Sequence, residues 1–183
     1  MVVSMIAALA ENRVIGSASG GIPWNLPRDR DHFRAYTERK WLLLGRKTYE
    51  EMEGWFTSHT PLILTGDPGY RPGHRAHRSV SSPAAAIDLA RRHGVSELVI
   101  CGGAGVFAAA IGLANRLVMT RIEKRIELAD PVFFPAFETS GEWNAVYSET
   151  WPCDTENVVP MRLEIYQRAT FGKPSPKNNH SPI

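Results

Sequence analysis

ELVICGGAGVFAAA, residues Glu97–Ala110, decides how this chain is read. An apolar run of strand length meets two glycines, and an alanine-rich helix pattern follows at once. Such turns cradle phosphate, because the backbone N–H groups that open a helix have no partner of their own. Gly103-Ala104-Gly105-Val106-Phe107-Ala108 also fits the G-x-G-x-x-A spacing of dinucleotide sites. The match is weak alone, since a tight turn would need the same glycines.

The strand-then-helix pattern recurs on both sides of this turn. Val2–Leu9 reads as a buried strand, followed by a Gly/Ser-rich loop over residues 10–24, predicted to be mobile. Pro27 opens a helix running to about Arg39, because its fixed φ suits the first helical position. Trp41–Leu44 is a strand ended by Gly45, with a short helix over Thr48–Met52, and Pro61–Thr65 is a third strand. Ser82-Pro83 caps a helix that stops at Gly94. Glu97–Cys101 is a strand, VFAAAIGLA a helix, and Leu117–Ile122 a further strand. The last third holds two β-like runs, near Asn144–Ser148 and Met161–Gln167, with no helix between them.

Helices between strands dictate parallel pairing, and a direct connection dictates an antiparallel hairpin. The expected fold is therefore α/β, a mainly parallel sheet flanked by helices, as one domain over residues 1–168. Residues 169–183 read as a polar, proline-bearing tail, expected to be disordered.

Composition narrows the function. A chain of 183 residues, 43% hydrophobic, can bury a core and a pocket without metals or disulfides. A net charge of +2 with no dense basic run argues against nucleic acid. The apolar opening is too short to span a membrane and lacks the basic flank of a signal peptide. Cys101 and Cys153 do not make a disulfide framework, and Cys101 reads as a buried free thiol. His74 and His77 have no further ligands nearby, so they read as solvent-exposed and no metal is expected. A cytoplasmic, monomeric enzyme acting on a small molecule is the expectation.

Two more stretches carry chemistry. In GGIPWNLPRDRDHF, residues 20–33, Asp29 is the third helical residue and Phe33 lies one turn later on the same face. A carboxylate beside aromatics and close to Trp24 suits a flat heterocycle with N–H donors. The same acid would also suit the positive end of a helix. Asp31 points about 200° away, towards solvent. In LLLGRKTYEEM, residues 42–52, a strand ends at Gly45 and Arg46-Lys47-Thr48 open a helix, placing two cations and a hydroxyl at its start. Two such turns favour a nucleotide with several phosphates.

Together these landmarks resemble the dihydrofolate reductase family. MIAALAENRVIG, IPWNLPRDRDHF, LLLGRKTYEEM, LILT, VICGGAGVF and LVMTRIE follow that family's order and approximate spacing. The resemblance covers about residues 1–168 and implies an eight-stranded, mainly parallel sheet with an antiparallel C-terminal strand. It implies reduction of 7,8-dihydrofolate to tetrahydrofolate with NADPH. By the same resemblance Asp29 holds the pterin N3 and 2-amino group and favours its protonated form, Trp24 anchors a water beside it, and Thr120 supports it. Ile6 and Ala8 border pterin and nicotinamide, while Phe33 and Met52 wall the pterin and benzoyl group. Residues Ile15 to Ile22 form the lid, with Ile15 and Gly16 against the cofactor. Arg46, Lys47 and Thr48 take its phosphates, and Gly45 and Thr65 also bind the cofactor. Cys101, Gly102, Gly103, Ala104, Gly105, Val106 and Phe107 wrap it, with a cis bond between Gly102 and Gly103.

The chain departs from the family in four places. Its lid is one residue longer than the common form, and Phe107 stands where many members have Tyr. Gly66-Asp67 follow Thr65, where an Arg or Ser often stands near the cofactor's 2′-phosphate. The arginine that grips the substrate's glutamate carboxylate falls at or near His59. Arg30, with Arg34 one turn on, could replace that contact; otherwise Arg30 is solvated and pairs with Asp31 or Glu38. Two other readings compete. A related pyrimidinone reductase of riboflavin synthesis shares the fold and the glycine turn, but the Pro23-Trp24…Asp29 constellation argues against it. A non-catalytic nucleotide-binding module would need a broken site, yet Trp24, Asp29 and Thr48 are all present.

Overall fold

The computed structural model of the protein describes residues 1–169, so the expected tail lies outside the described residues save for Ala169. Ten strands and four helices follow one another as β1 (Val2–Ala10), β2 (Val14–Ser17), α1 (Pro27–Thr37), β3 (Trp41–Gly45), α2 (Arg46–Glu51), β4 (Thr60–Leu64), β5 (Arg78–Val80), α3 (Pro83–Arg92), β6 (Glu97–Gly102), α4 (Ala104–Ala110), β7 (Arg116–Ile122), β8 (Pro131–Phe133), β9 (Trp143–Trp151) and β10 (Met161–Arg168). Eight strands form one sheet in the order β5-β4-β3-β6-β1-β7-β10-β9, and β2 pairs with β8 apart from it. Every pairing from β5 to β7 is parallel. β10 runs antiparallel to both β7 and β9, as a helix-free connection requires.

The strands alternate strictly between two cores, because successive side chains point to opposite faces. Met5 and Leu9 of β1, Leu98 and Ile100 of β6, and Leu117 and Met119 of β7 pack on one face with α3 and α4. Ile6 of β1, Val99 of β6 and Val118 of β7 pack on the other, with Leu26, Tyr49 and the partly buried Phe33 and Tyr36. Thr120 follows Val118 by two residues, so it faces α1.

Helix α1 is pinned at both ends. Near its start, the Arg28 N–H donates to Oδ1 of the buried Asn157 at 3.0 Å, from the β9–β10 connection. Asp154 braces Asn157 at 2.7 Å and pairs with the Arg28 guanidinium at 2.8 Å. Near its end, the Tyr36 hydroxyl donates to Glu97 at 2.6 Å, and Lys40, just past the helix, pairs with the same carboxylate at 2.7 Å. Burial pushes the Glu97 carboxyl up, but Lys40, Ser4 and Tyr36 outweigh it and hold the group below its usual range.

Three local expectations need correction. Residues 10–24, read as loop, contain β2, paired to β8 through Val14–Phe133, Gly16–Val132 and Ser17–Pro131. A two-stranded pair of segments more than a hundred residues apart leaves no periodic trace in either. The helix after the glycine turn begins at Ala104 rather than Val106 and gives way to a 3₁₀ turn over Ile111–Leu113. His77 is half-buried rather than exposed: its Nδ1 lies 2.8 Å from the Tyr49 hydroxyl, and its ring meets Phe56 edge-on at 5.8 Å.

Candidate active site

A cleft of about 940 Å³ opens where β1, β3 and β6 end, beside the point at which the chain, having laid out β3 to β5, returns between β3 and β1 as β6. In open α/β sheets this switch point at the carboxyl ends of the strands is where ligands bind. Ile6 and Ala8 of β1 form part of the lining, with Cys101 from the end of β6. All three point towards the α1 and α2 side of the sheet.

The two glycine turns meet here. Gly45 closes β3 and Gly102 closes β6, and Leu44 pairs with Gly102 just past a shift in register. The peptide between Gly102 and Gly103 is cis, as the resemblance implied. A Cβ on Gly45 would stand 3.1 Å from Val106 Cγ2, and one on Gly103 would stand 3.1 Å from Thr48 Oγ1. A side chain at either position would crowd the starts of α2 and α4 where they approach. Neither helix start carries a side-chain cap, although both starts line the cleft. Arg46, Lys47 and Thr48 line one side of this turn, and Ala104, Gly105, Val106 and Phe107 the other, with Thr65 at the end of β4. Arg46 lies 3.7 Å from Glu50, one turn along α2.

Asp29, Arg30, Phe33 and Arg34 bring α1 to the cleft, and Met52 faces them from the end of α2. Asp29 is half-buried, and burial raises its carboxyl pKa above the usual value, against the Thr120 hydroxyl, whose hydrogen bond lowers it. Asp31 is exposed. Ile15, Gly16 and the turn to Ile22 form the mouth; Ser17 Oγ donates to Asp130 at 2.6 Å, and the Ser19 N–H to the same carboxylate at 2.8 Å.

Two expected residues do not line the cleft. Thr120 lies beneath Asp29 in β7, 2% exposed, and Trp24 packs into the core layer under α1. Both stand behind the surface that a ligand meets. Several lining residues escaped the sequence reading. Trp55 packs its ring 5.3 Å from that of Phe33, and His59 stacks behind Trp55 at 4.4 Å. His59 itself does not line the cleft. Val132 arrives on the unforeseen β8. Trp55 and Phe56 were readable only as aromatics in an irregular segment, with no period to orient them. Arg30 pairs with neither Asp31 nor Glu38; its Nη1 donates to Asn25 Oδ1 at 2.7 Å. Among the described residues no group of three potential metal ligands comes together, and no helix is long and apolar enough to cross a membrane.

The family model described as "Dihydrofolate reductase" matches residues 2–168. The chain belongs to the dihydrofolate reductase family. Among the family's curated members it is 32% identical over 168 residues to the type 3 dihydrofolate reductase of Salmonella typhimurium, covering 92% of this chain and 99% of that one. It is 29% identical over 171 residues to the dihydrofolate reductase of Bacillus subtilis, covering 93% and 97%. Among solved structures, dihydrofolate reductase from Enterococcus faecalis, complexed with NADP(H) and RAB-propyl, superposes with a TM-score of 0.79 at 30% identity, covering 92% of this chain and 97% of that one. The family's sheet, mostly parallel with antiparallel C-terminal pairings, is the one described above.

Proposed function

We propose that the protein reduces 7,8-dihydrofolate to 5,6,7,8-tetrahydrofolate with NADPH. The observation that carries this reading is Asp29, a half-buried carboxylate whose pKa is raised by burial, in the cleft that also holds the paired glycine turns. The residues fit the cofactor. The close approach at Gly45 and Gly103 leaves a backbone cradle that a Cβ would fill, flanked by Arg46, Lys47 and Thr48. NADPH, when bound, supplies the hydride.

The chain's own residues do the rest. Arg46, Lys47, Thr48 and the first N–H groups of α2 and α4 hold phosphate. Thr65, Gly45 and the run from Cys101 to Phe107 line the cofactor's path, with Ile15 and Gly16 above it. Asp29 accepts hydrogen bonds from the pterin ring N–H and the exocyclic amino group, and its charge favours the protonated pterin that accepts hydride. Thr120 orients Asp29 from below, and Trp24 fixes the strand-to-helix entry beside it. Ile6, Ala8, Phe33 and Met52 exclude water around the ring, which strengthens each charge interaction there. The proton comes from water: the cleft's other acids, Glu51 and Asp67, are exposed on its rim.

The cleft is completed by one chain, which supports action as a monomer, and both cysteines are free thiols, which supports the cytoplasm. Mixing purified protein with dihydrofolate and NADPH and following cofactor absorbance tests the reading. Dihydrofolate-dependent loss of absorbance is expected, and its absence at high enzyme concentration overturns the proposal.

A further inference from the structure

Four cations line the cleft, in two separate pairs. Arg46 and Lys47 stand at the start of α2, against the glycine turns. Arg30 and Arg34 stand on α1, beside Phe33, which meets Trp55 beyond the far end of α2. The two pairs stand on different helices, α1 and the start of α2.

The second pair is unspent. Arg30 and Arg34 are four residues apart, so they project from the same side of α1. Both are exposed on the rim, and neither forms an ion pair among the described residues. Arg30 uses one N–H, on the neutral side chain of Asn25 at 2.7 Å. The contrast is Arg28, just before them, whose guanidinium is neutralised by Asp154 at 2.8 Å. Two unneutralised guanidinium groups facing one cleft mark where an anion of the occupant lies.

His59, where the family resemblance placed the carboxylate-gripping arginine, cannot do that work. It lies behind Trp55, off the cleft, with both ring nitrogens buried and unpartnered among the described residues. Burial also lowers its pKa, which keeps the ring neutral near pH 7.

We propose that Arg30, seconded by Arg34, holds the carboxylates of the substrate's glutamate tail at the α1 rim of the cleft. This rests on the reductase reading, through which the glutamate tail enters. A guanidinium fork matches a carboxylate with two parallel N–H donors, which a neutral imidazole cannot do. The rim is open to solvent, so the contact is screened by salt.

The test compares kcat/KM for dihydrofolate with that for a dihydropterin carrying a methyl group in place of the benzoylglutamate. In Arg30→Leu the ratio of the two falls roughly tenfold, through KM for dihydrofolate. Arg34→Leu moves the ratio the same way by less, and Arg30→Lys falls between parent and Arg30→Leu. Raising the salt concentration narrows the gap between parent and variant. In His59→Phe, which keeps a ring stacked on Trp55 and removes the imidazole nitrogens, the ratio stays within about twofold of the parent. An unchanged ratio in Arg30→Leu overturns the proposal, as does an equal loss on both substrates. So does a collapse of the ratio in His59→Phe with Arg30→Leu unaffected. A parent protein that reduces neither substrate overturns the function itself, and the tail site falls with it. Retained turnover with an unchanged ratio overturns the tail site alone.

Discussion

The rings of Phe33 and Trp55 lie 5.3 Å apart, inclined at 41°, joining α1 to the segment after α2 as one apolar wall. His59 stacks on Trp55 at 4.4 Å, and Phe56 meets it edge-on at 5.5 Å, so the indole is held from behind. A wall fixed this way contributes to substrate binding through buried aromatic area. Trp55→Ala should raise KM for dihydrofolate about tenfold with little change in kcat, while Trp55→Phe should keep most of the affinity. Steady-state kinetics decide it; an unchanged KM in Trp55→Ala would mean that the substrate does not rest on this wall.

What could be read beforehand follows from locality. The glycine turns, Pro27 and the apolar strands declare themselves through neighbours one to four residues away, so the parallel sheet and the Asp29–Phe33 face were legible. Trp55 and Val132 were not. Trp55 owes its place to packing between Phe33 and His59, and Val132 to pairing with Gly16, contacts made only in the folded chain. The same holds for His77, whose burial comes from Tyr49 and Phe56 rather than from its own loop. Thr120 and Trp24 were named by resemblance; Thr120 hydrogen-bonds Asp29, while Trp24 packs on the core without lining the cleft.

Asp29→Asn keeps the shape of the side chain and removes the charge. Turnover at neutral pH should fall at least about 10²-fold, while Asp31→Asn, exposed on the same helix, should change little. Stability should move the other way. The folded-state pKa of Asp29 is raised by burial, so the folded protein is penalised as pH rises through that value. Asp29→Asn should therefore melt higher than the parent near pH 7.5, and the difference should close in acid, where the parent's carboxyl is neutral too. Thermal melts across pH check this; a lower melting temperature for the variant at neutral pH would contradict it.

Asn157 acts on the same carboxylate at a distance. It accepts the N–H of Arg28, the residue before Asp29, and thereby caps a helix whose own cap residue, Leu26, offers no side-chain bond. Asn157→Ala should cost about 1 kcal/mol of stability, or roughly 2–4 °C in Tm. If the cap also positions Asp29, kcat/KM should fall several-fold and the acid limb of its pH profile should shift. A melting-temperature loss with an unmoved pH profile would reduce Asn157 to a purely structural cap.

We expect cofactor choice to turn on Arg46 and Asp67, both of which line the cleft. Arg46 is one of two cations at the start of α2; it is shared with Glu50 at 3.7 Å, and Tyr70 lies under it at 5.8 Å. Asp67 is held in place by the Gly69 N–H at 2.8 Å, while its own N–H donates to Thr65 Oγ1 at 3.1 Å. A fixed carboxylate near a phosphate opposes it. NADPH should still be preferred over NADH, because Arg46 and Lys47 outnumber the acid. The preference should widen about three- to tenfold in Asp67→Ser, which keeps a small hydrogen-bonding side chain and removes the repulsion. Arg46→Leu should shrink it by about tenfold or more, since one charge-assisted contact to phosphate contributes about 1.5–3 kcal/mol. Specificity constants for both cofactors in the three proteins provide the check. A parent that prefers NADH, or an Asp67→Ser variant that leaves the ratio unmoved, would place the phosphate elsewhere on the cleft.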